Sequence, residues 1–147
     1  MSDFHTFVDD CKGLVEHLVR LIHGGQDIVP MIHYRDASGH VDGIPADPSW
    51  FSDAEAKQIL VQNLVIPFVE ILQPESVAWT FTGRRGWTDG FYDHDVAATC
   101  VVDRERAEVW EARLVRHDGR ASLGAWRQWP VDQAGGVLLS PIQRSLR

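Results

Sequence analysis

Between Phe4 and His23 the apolar residues Phe4, Phe7, Val8, Cys11, Leu14, Val15, Leu18, Leu21 and Ile22 recur at steps of three and four, with Asp9, Asp10, Lys12, Glu16 and Arg20 mainly on the opposite side. This spacing predicts an amphipathic helix, which Gly24-Gly25 ends by offering left-handed conformations. Ile28 to Tyr34 and Val41 to Ile44 then flank DASGH, a turn cluster, and predict a short hairpin. Pro30 lacks the amide hydrogen of a central strand, so the first strand lies at an edge or begins after it. Ser52 to Glu55 (SDAE) matches a capping box and predicts a second helix, with Ile59, Leu60, Leu64, Phe68, Ile71 and Leu72 as its buried side. Pro67 removes a backbone donor and predicts a kink or restart. Pro74 disfavours helical geometry at Gln73 and ends the element.

From Val77 the periodicity shortens. VAWTF, VAATCVV at 96 to 102, EVWEARLVR at 108 to 116 and ASLGAWRQW at 121 to 129 predict a meander of strands. In the third run, Trp110, Ala112, Leu114 and Arg116 form the better core-facing set. HDGR at 117 to 120 is a hairpin turn signalled by Asp-Gly. After Gly135-Gly136, Ser140 as N-cap with Pro141 and Gln143 predicts a short terminal helix, and a loosely attached tail over 130 to 147 is the alternative. The expected architecture is α+β: one domain over 1 to 147, with two helices packed on one face of an antiparallel-rich sheet in the order α-β-β-α-β-β-β(β). The other sheet face would then meet solvent, a barrel curl or another subunit.

This order, with VAWTF followed by a Trp after the second helix and the late RHDGRASLGAW hairpin, resembles small uncharacterised α+β proteins of bacteria and their phages. The resemblance implies a fold class and supplies no activity, cofactor or catalytic residue. A weaker likeness is to nuclear-transport-factor-like cones, which usually begin with more than one helix.

With 147 residues, 44% hydrophobic and 24% charged, the chain is of globular composition. No apolar run approaches the roughly 20 residues that span a bilayer and no leader pattern opens the chain, so a cytoplasmic, membrane-free protein is expected. Cys11 and Cys100 fall where apolar residues are expected and read as buried thiols. Residues 1 to 82 carry 12 acids and 4 bases, whereas residues 83 to 147 carry 9 acids and 10 bases, for a net charge of −7. That balance repels phosphate backbones, and nucleic acid is not an expected partner. Twelve arginines against two lysines suggest a GC-rich bacterial or phage source.

Candidate chemistry concentrates in GRRGWTDGFYDHD, residues 83 to 95, which reads as a long loop between strands. In one reading Trp87, Phe91 and Tyr92 are anchors and Arg84 and Arg85 are directional charged contacts for a protein partner. In a second, Asp89, Asp93, His94 and Asp95 gather a divalent cation, or Asp93 and His94 perform acid/base chemistry beside Asp95. The spacing departs from a calcium loop, and no cofactor is expected. In a third the residues are solvated loop contents. His33 and His40, brought together by the hairpin, lack a third zinc ligand. A small non-enzymatic binding or regulatory protein is favoured over a small enzyme or ligand binder with a pocket between helices and sheet. Its partner would be a foreign protein or a second copy in a homodimer, six tryptophans making the latter worth testing.

Overall fold

A computed structural model describes residues 3–51, 54–85, 94–131 and 136–147, with backbone alone described at 51, 54, 84, 85, 94, 136 and 137. The expected mixed α and antiparallel β composition is present. Strands β1 (Met31–Arg35), β2 (Val41–Pro45), β3 (Ser76–Arg85), β4 (His94–Asp103), β5 (Ala107–His117) and β6 (Arg120–Leu123) lie in the order β2-β1-β3-β4-β5-β6. A further strand, β7 (Arg127–Trp129), pairs with β5 beside β6. The register on β5 shifts by one residue between Leu114↔Leu123 and Glu111↔Arg127, so β6 and β7 act as one strand broken by a bulge. All the pairings are antiparallel.

The first hairpin forms as its residues dictate. β1 begins directly after Pro30, which cannot donate to a ladder, and Asp36 Oδ1 accepts from the amides of Ser38 and His40 to shape the turn. At the far end of the sheet, Asp118 and Gly119 both take positive φ, 52° and 77°, the backbone a tight Asp-Gly hairpin turn requires.

Helix α1 (Asp3–Val19) packs on one sheet face, where Phe4, Phe7, Val8 and Cys11 meet Ala78 and Val101, and Val15 and Val19 meet Ala97 and Leu114. The second helical stretch packs on the other face. There Leu60, Val61, Val65 and Val69 bury against Ile32, Val77, Trp79, Cys100 and Val102. The expectation of two helices on one face is therefore corrected: the sheet is a middle layer. Consecutive apolar residues in Val77-Ala78-Trp79 and Cys100-Val101-Val102 are the physical reason, because neighbours along a strand point to opposite faces and both must be covered. For the same reason β5 is buried on both sides over its first half, with Val109 and Glu111 as well as Ala112 and Leu114 buried.

α1 stops at Val19, short of the double glycine, because His23 bridges Arg120 and the Gly24 amide donates to the Gly119 carbonyl at 2.9 Å. The last helix, α4 (Gly136–Ser145), starts before Ser140 and holds Pro141 inside it. Its Leu139 and Ile142, with Leu146, enter the main core, so residues 136–147 are held by packing. Cys11 and Cys100 are both buried thiols, on opposite sheet faces. No helix among the described residues is long and apolar enough to cross a membrane.

Candidate docking surface

The stretch from 54 to 72 is a helical run in three parts: α2 (Ala54–Leu60), a π turn (Val61–Val65) and α3 (Ile66–Leu72). Pro67 explains the middle part. Its ring would strike the carbonyl four residues back and it offers no amide, so the backbone widens one turn earlier, with the Ile66 amide bonded to the Val61 carbonyl. The expected kink or restart is a π bulge. The extra residue turns Leu60 and Val61 inward together ahead of Val65 and Val69.

Of the side expected to be buried, Leu60 is in the core and Leu64 packs partly buried against it, but the other four residues face out. Ile59 is 54% exposed, Phe68 37%, Ile71 80% and Leu72 55%, whereas Val65 and Val69 are fully buried. Leu64, Phe68 and Leu72, four apart, continue along one side of the run. The helix is thus apolar on two sides: Leu60, Val61, Val65 and Val69 fill the core, with Leu64 partly buried at its border, and the other side faces out.

Trp50, 41% exposed, stands beside this stripe on the 3₁₀ turn Pro48–Phe51. Asp47 fixes the turn: its Oδ1 accepts from the Ser49 amide at 2.9 Å and hydroxyl at 2.8 Å, and its carbonyl accepts from the Trp50 amide at 3.0 Å. The bond from the Ser49 amide, then that from its hydroxyl, holds the Asp47 carboxyl below its ordinary pKa. Between the turn and α2 lies a groove of about 360 Å³ lined by Trp50, Ala56, Ile59, Leu60, Asn63 and Leu64. Its lining is apolar apart from Asn63. Below, the Tyr34 and Phe68 rings pack at 5.9 Å between centroids, and burial pushes the Tyr34 phenol up to about 12. The C-terminal end of α3 is tied down by Gln73, which takes a left-handed conformation, donates Nε2 to the Ser145 carbonyl at 3.3 Å and accepts from the Arg147 amide at 2.9 Å. A capped turn at one end and this clasp at the other present the apolar face on fixed backbone.

The residues singled out between 83 and 95 divide. Gly83, Arg84 and Arg85 extend β3, and His94 and Asp95 begin β4, paired as Arg84↔Asp95 and Arg85↔His94, so the connection is shorter than the composition suggested. Trp87, Asp89, Phe91, Tyr92 and Asp93 lie outside the described residues, as do the Arg84, Arg85 and His94 side chains. Asp95 is committed to an ion pair, accepting from Arg116 Nε at 3.0 Å. The same guanidinium donates to the carbonyls of Gly24 and Gln26 at 3.0 and 2.8 Å and reaches Asp27 Oδ1 at 3.4 Å. Asp27 accepts from the Thr82 hydroxyl, which accepts from the Ile28 amide. Arg116 thus staples the segment after α1 to the base of the β3–β4 hairpin. No group of three metal-ligating side chains occurs among the described residues.

The two hairpin histidines separate rather than meet. His40 is exposed beside Asp42 Oδ1, whereas His33 is buried with Nε2 3.1 Å from Thr80 Oγ1. Burial lowers the His33 pKa to about 4, leaving the ring neutral. A second concavity, of about 320 Å³, lies between α1 and β6, where Glu16 Oε1 accepts from Trp126 Nε1 at 2.9 Å. That pairing occupies the carboxylate in the groove wall.

No family model, curated protein or solved structure matches the chain.

Proposed function

We propose that this protein is a non-catalytic binding protein and that the outer face of the 54–72 helical run, with Trp50, is its docking surface for another protein. One observation carries the reading: Ile59, Phe68, Ile71 and Leu72 face outward from a helix whose opposite side, Leu60, Val61, Val65 and Val69, already fills the core. A contiguous apolar face of this kind is costly to leave in water and is the usual mark of a protein interface. Trp50 is the natural anchor, being large, aromatic and held on a capped turn.

The test is a photo-crosslinking amino acid placed at Ile71, with the same group at His17 on the exposed side of α1 as the control. Irradiation in source cells is expected to give a defined heavier adduct from position 71 and none from position 17. Equal labelling from both positions, or none from 71, overturns the reading.

The segment 86–93, which connects β3 and β4 and lies outside the described residues, is a second contact in this proposal. Its composition (Trp87, Phe91, Tyr92) suits a partner, and its stem is fixed by the ladder to Arg85↔His94 and by the Asp95 ion pair. Replacing 86–93 by a glycine-serine linker should then weaken partner retention with no change in unfolding free energy, and unchanged retention removes the segment from the interface.

A further inference from the structure

The charges around this face specify its partner. From Asp36 to Gly83 the chain carries Asp36, Asp42, Asp47, Asp53, Glu55, Glu70 and Glu75, and Lys57 is its only Lys or Arg. That lysine is turned away to the sheet, its Nζ 5.1 Å from the centre of the Phe81 ring. Asp47 lies on the Trp50 turn, Glu55 is exposed one turn ahead of Ile59, and Glu70 is exposed next to Ile71. Among the described residues one cation reaches the stripe, Arg147, whose Nη2 lies 3.4 Å from the Glu70 carbonyl at the end of α3; the Trp50–Ile59 end is bordered by carboxylates, with Lys57 turned away.

An isologous contact with a second copy would set the same acidic residues against each other. Like charges brought together across an interface are repulsive and act against such pairing. A cationic partner relieves the same charges. The shape narrows it further: the 19 residues from Ala54 to Leu72 span about 28 Å, and apolar residues three and four apart along a helix are the surface that a second helix packs against.

Resting on the reading that this face docks a protein, we infer that its occupant is a cationic amphipathic helix of a partner protein. Its apolar residues lie along Ile59, Phe68 and Leu72, one large side chain enters the groove beside Trp50, and its lysines or arginines lie against Glu55 and Glu70.

The full-length protein is titrated by fluorescence anisotropy with three labelled helical peptides of about 18 residues, long enough to run along the layer. They share one leucine stripe and carry Lys, Gln or Glu at every other position. The expected result is binding of the Lys peptide, weaker by about tenfold or more for the Gln peptide and undetectable for the Glu peptide, with affinity falling as salt is raised. Ile59→Ser with Ile71→Ser should abolish binding. Glu55→Gln with Glu70→Gln should weaken the Lys peptide and leave the Gln peptide unchanged. Equal binding of the Lys and Gln peptides overturns the charge assignment while leaving the docking face in place. Lys-peptide binding that survives Ile59→Ser with Ile71→Ser means attraction to acidic surface elsewhere and overturns the assignment. If no peptide binds, the cationic helix is overturned, and the Ile71 crosslink then separates the cases: an adduct there preserves the docking reading, and its absence removes both.

Discussion

Phe68 and Val69 are consecutive residues, about 100° apart around α3, with different fates: Val69 is wholly buried against the sheet, while Phe68 is 37% exposed and rests its ring against Tyr34. Large apolar residues outside and small β-branched ones inside reverse the usual helix and define the outer face of the molecule.

That reversal predicts an asymmetry in stability. Val69→Ala removes buried methyl groups and should cost about 2 kcal/mol. Ile71→Ser, at a residue 80% exposed, should change stability by no more than about 0.5 kcal/mol although it deletes a larger apolar side chain. Urea unfolding of the two variants beside wild type measures both.

His33 predicts a pH dependence. Its pKa is about 4 in the fold and about 6.5 in the unfolded chain, so below pH 6.5 the unfolded state takes up the proton first. Its contribution is fully present above pH 6.5 and is lost as pH falls toward 4, by about 3 kcal/mol over that window. His33→Gln should show a flatter stability profile between pH 7 and 4. A wild-type profile no steeper than that of the variant would contradict the buried neutral ring.

Arg116 predicts a local effect. Arg116→Met removes its bonds to Asp95, Asp27 and the Gly24 and Gln26 carbonyls, at a cost of about 1–2 kcal/mol because the network is partly exposed. Hydrogen exchange should quicken at residues 24–28 before it changes in β3 or β4. Arg116→Lys should restore little, since an ammonium lacks the planar fork that serves these acceptors together.

The cysteines predict a chemical signature. Cys11 and Cys100 are buried on opposite sheet faces, and burial, aided by Asp10, raises the Cys11 thiol to about 12. Neither should react with a thiol reagent in the native state at pH 8, and both should react fully on unfolding. A prompt native reaction would contradict the packing.

Much of the fold was legible because local chemistry decided it. Pro30 marked the start of β1, Asp118-Gly119 the β5–β6 turn, and the alternating runs after Val77 the meander. What escaped were choices that tertiary structure makes between two apolar options. In the second helix, Ile59, Leu64, Phe68 and Leu72 form one stripe and Val61, Val65 and Val69 another. Size favoured the first, whereas the close sheet took the smaller side chains. The π turn was foreshadowed by Pro67, but an inserted residue shifts the helix phase in a way no fixed period anticipates. The apolar doublets of β3 and β4 held the signal that both sheet faces are covered. As for the site, the charged and aromatic residues of 83–95 are the conspicuous chemistry of the sequence, whereas the size and spacing of Ile59, Phe68, Ile71 and Leu72 read as core although these side chains face out. A signal for it was available: a helix with apolar residues on more than one side has more than its own core to meet.

The most direct test of the docking surface is retention of source-cell protein by immobilised wild type compared with a variant carrying Ile59→Ser and Ile71→Ser, with equal unfolding free energy verified for the two baits. A partner held by wild type and lost from the variant is the predicted result. A partner held equally by both would show that binding uses another surface and would contradict the account.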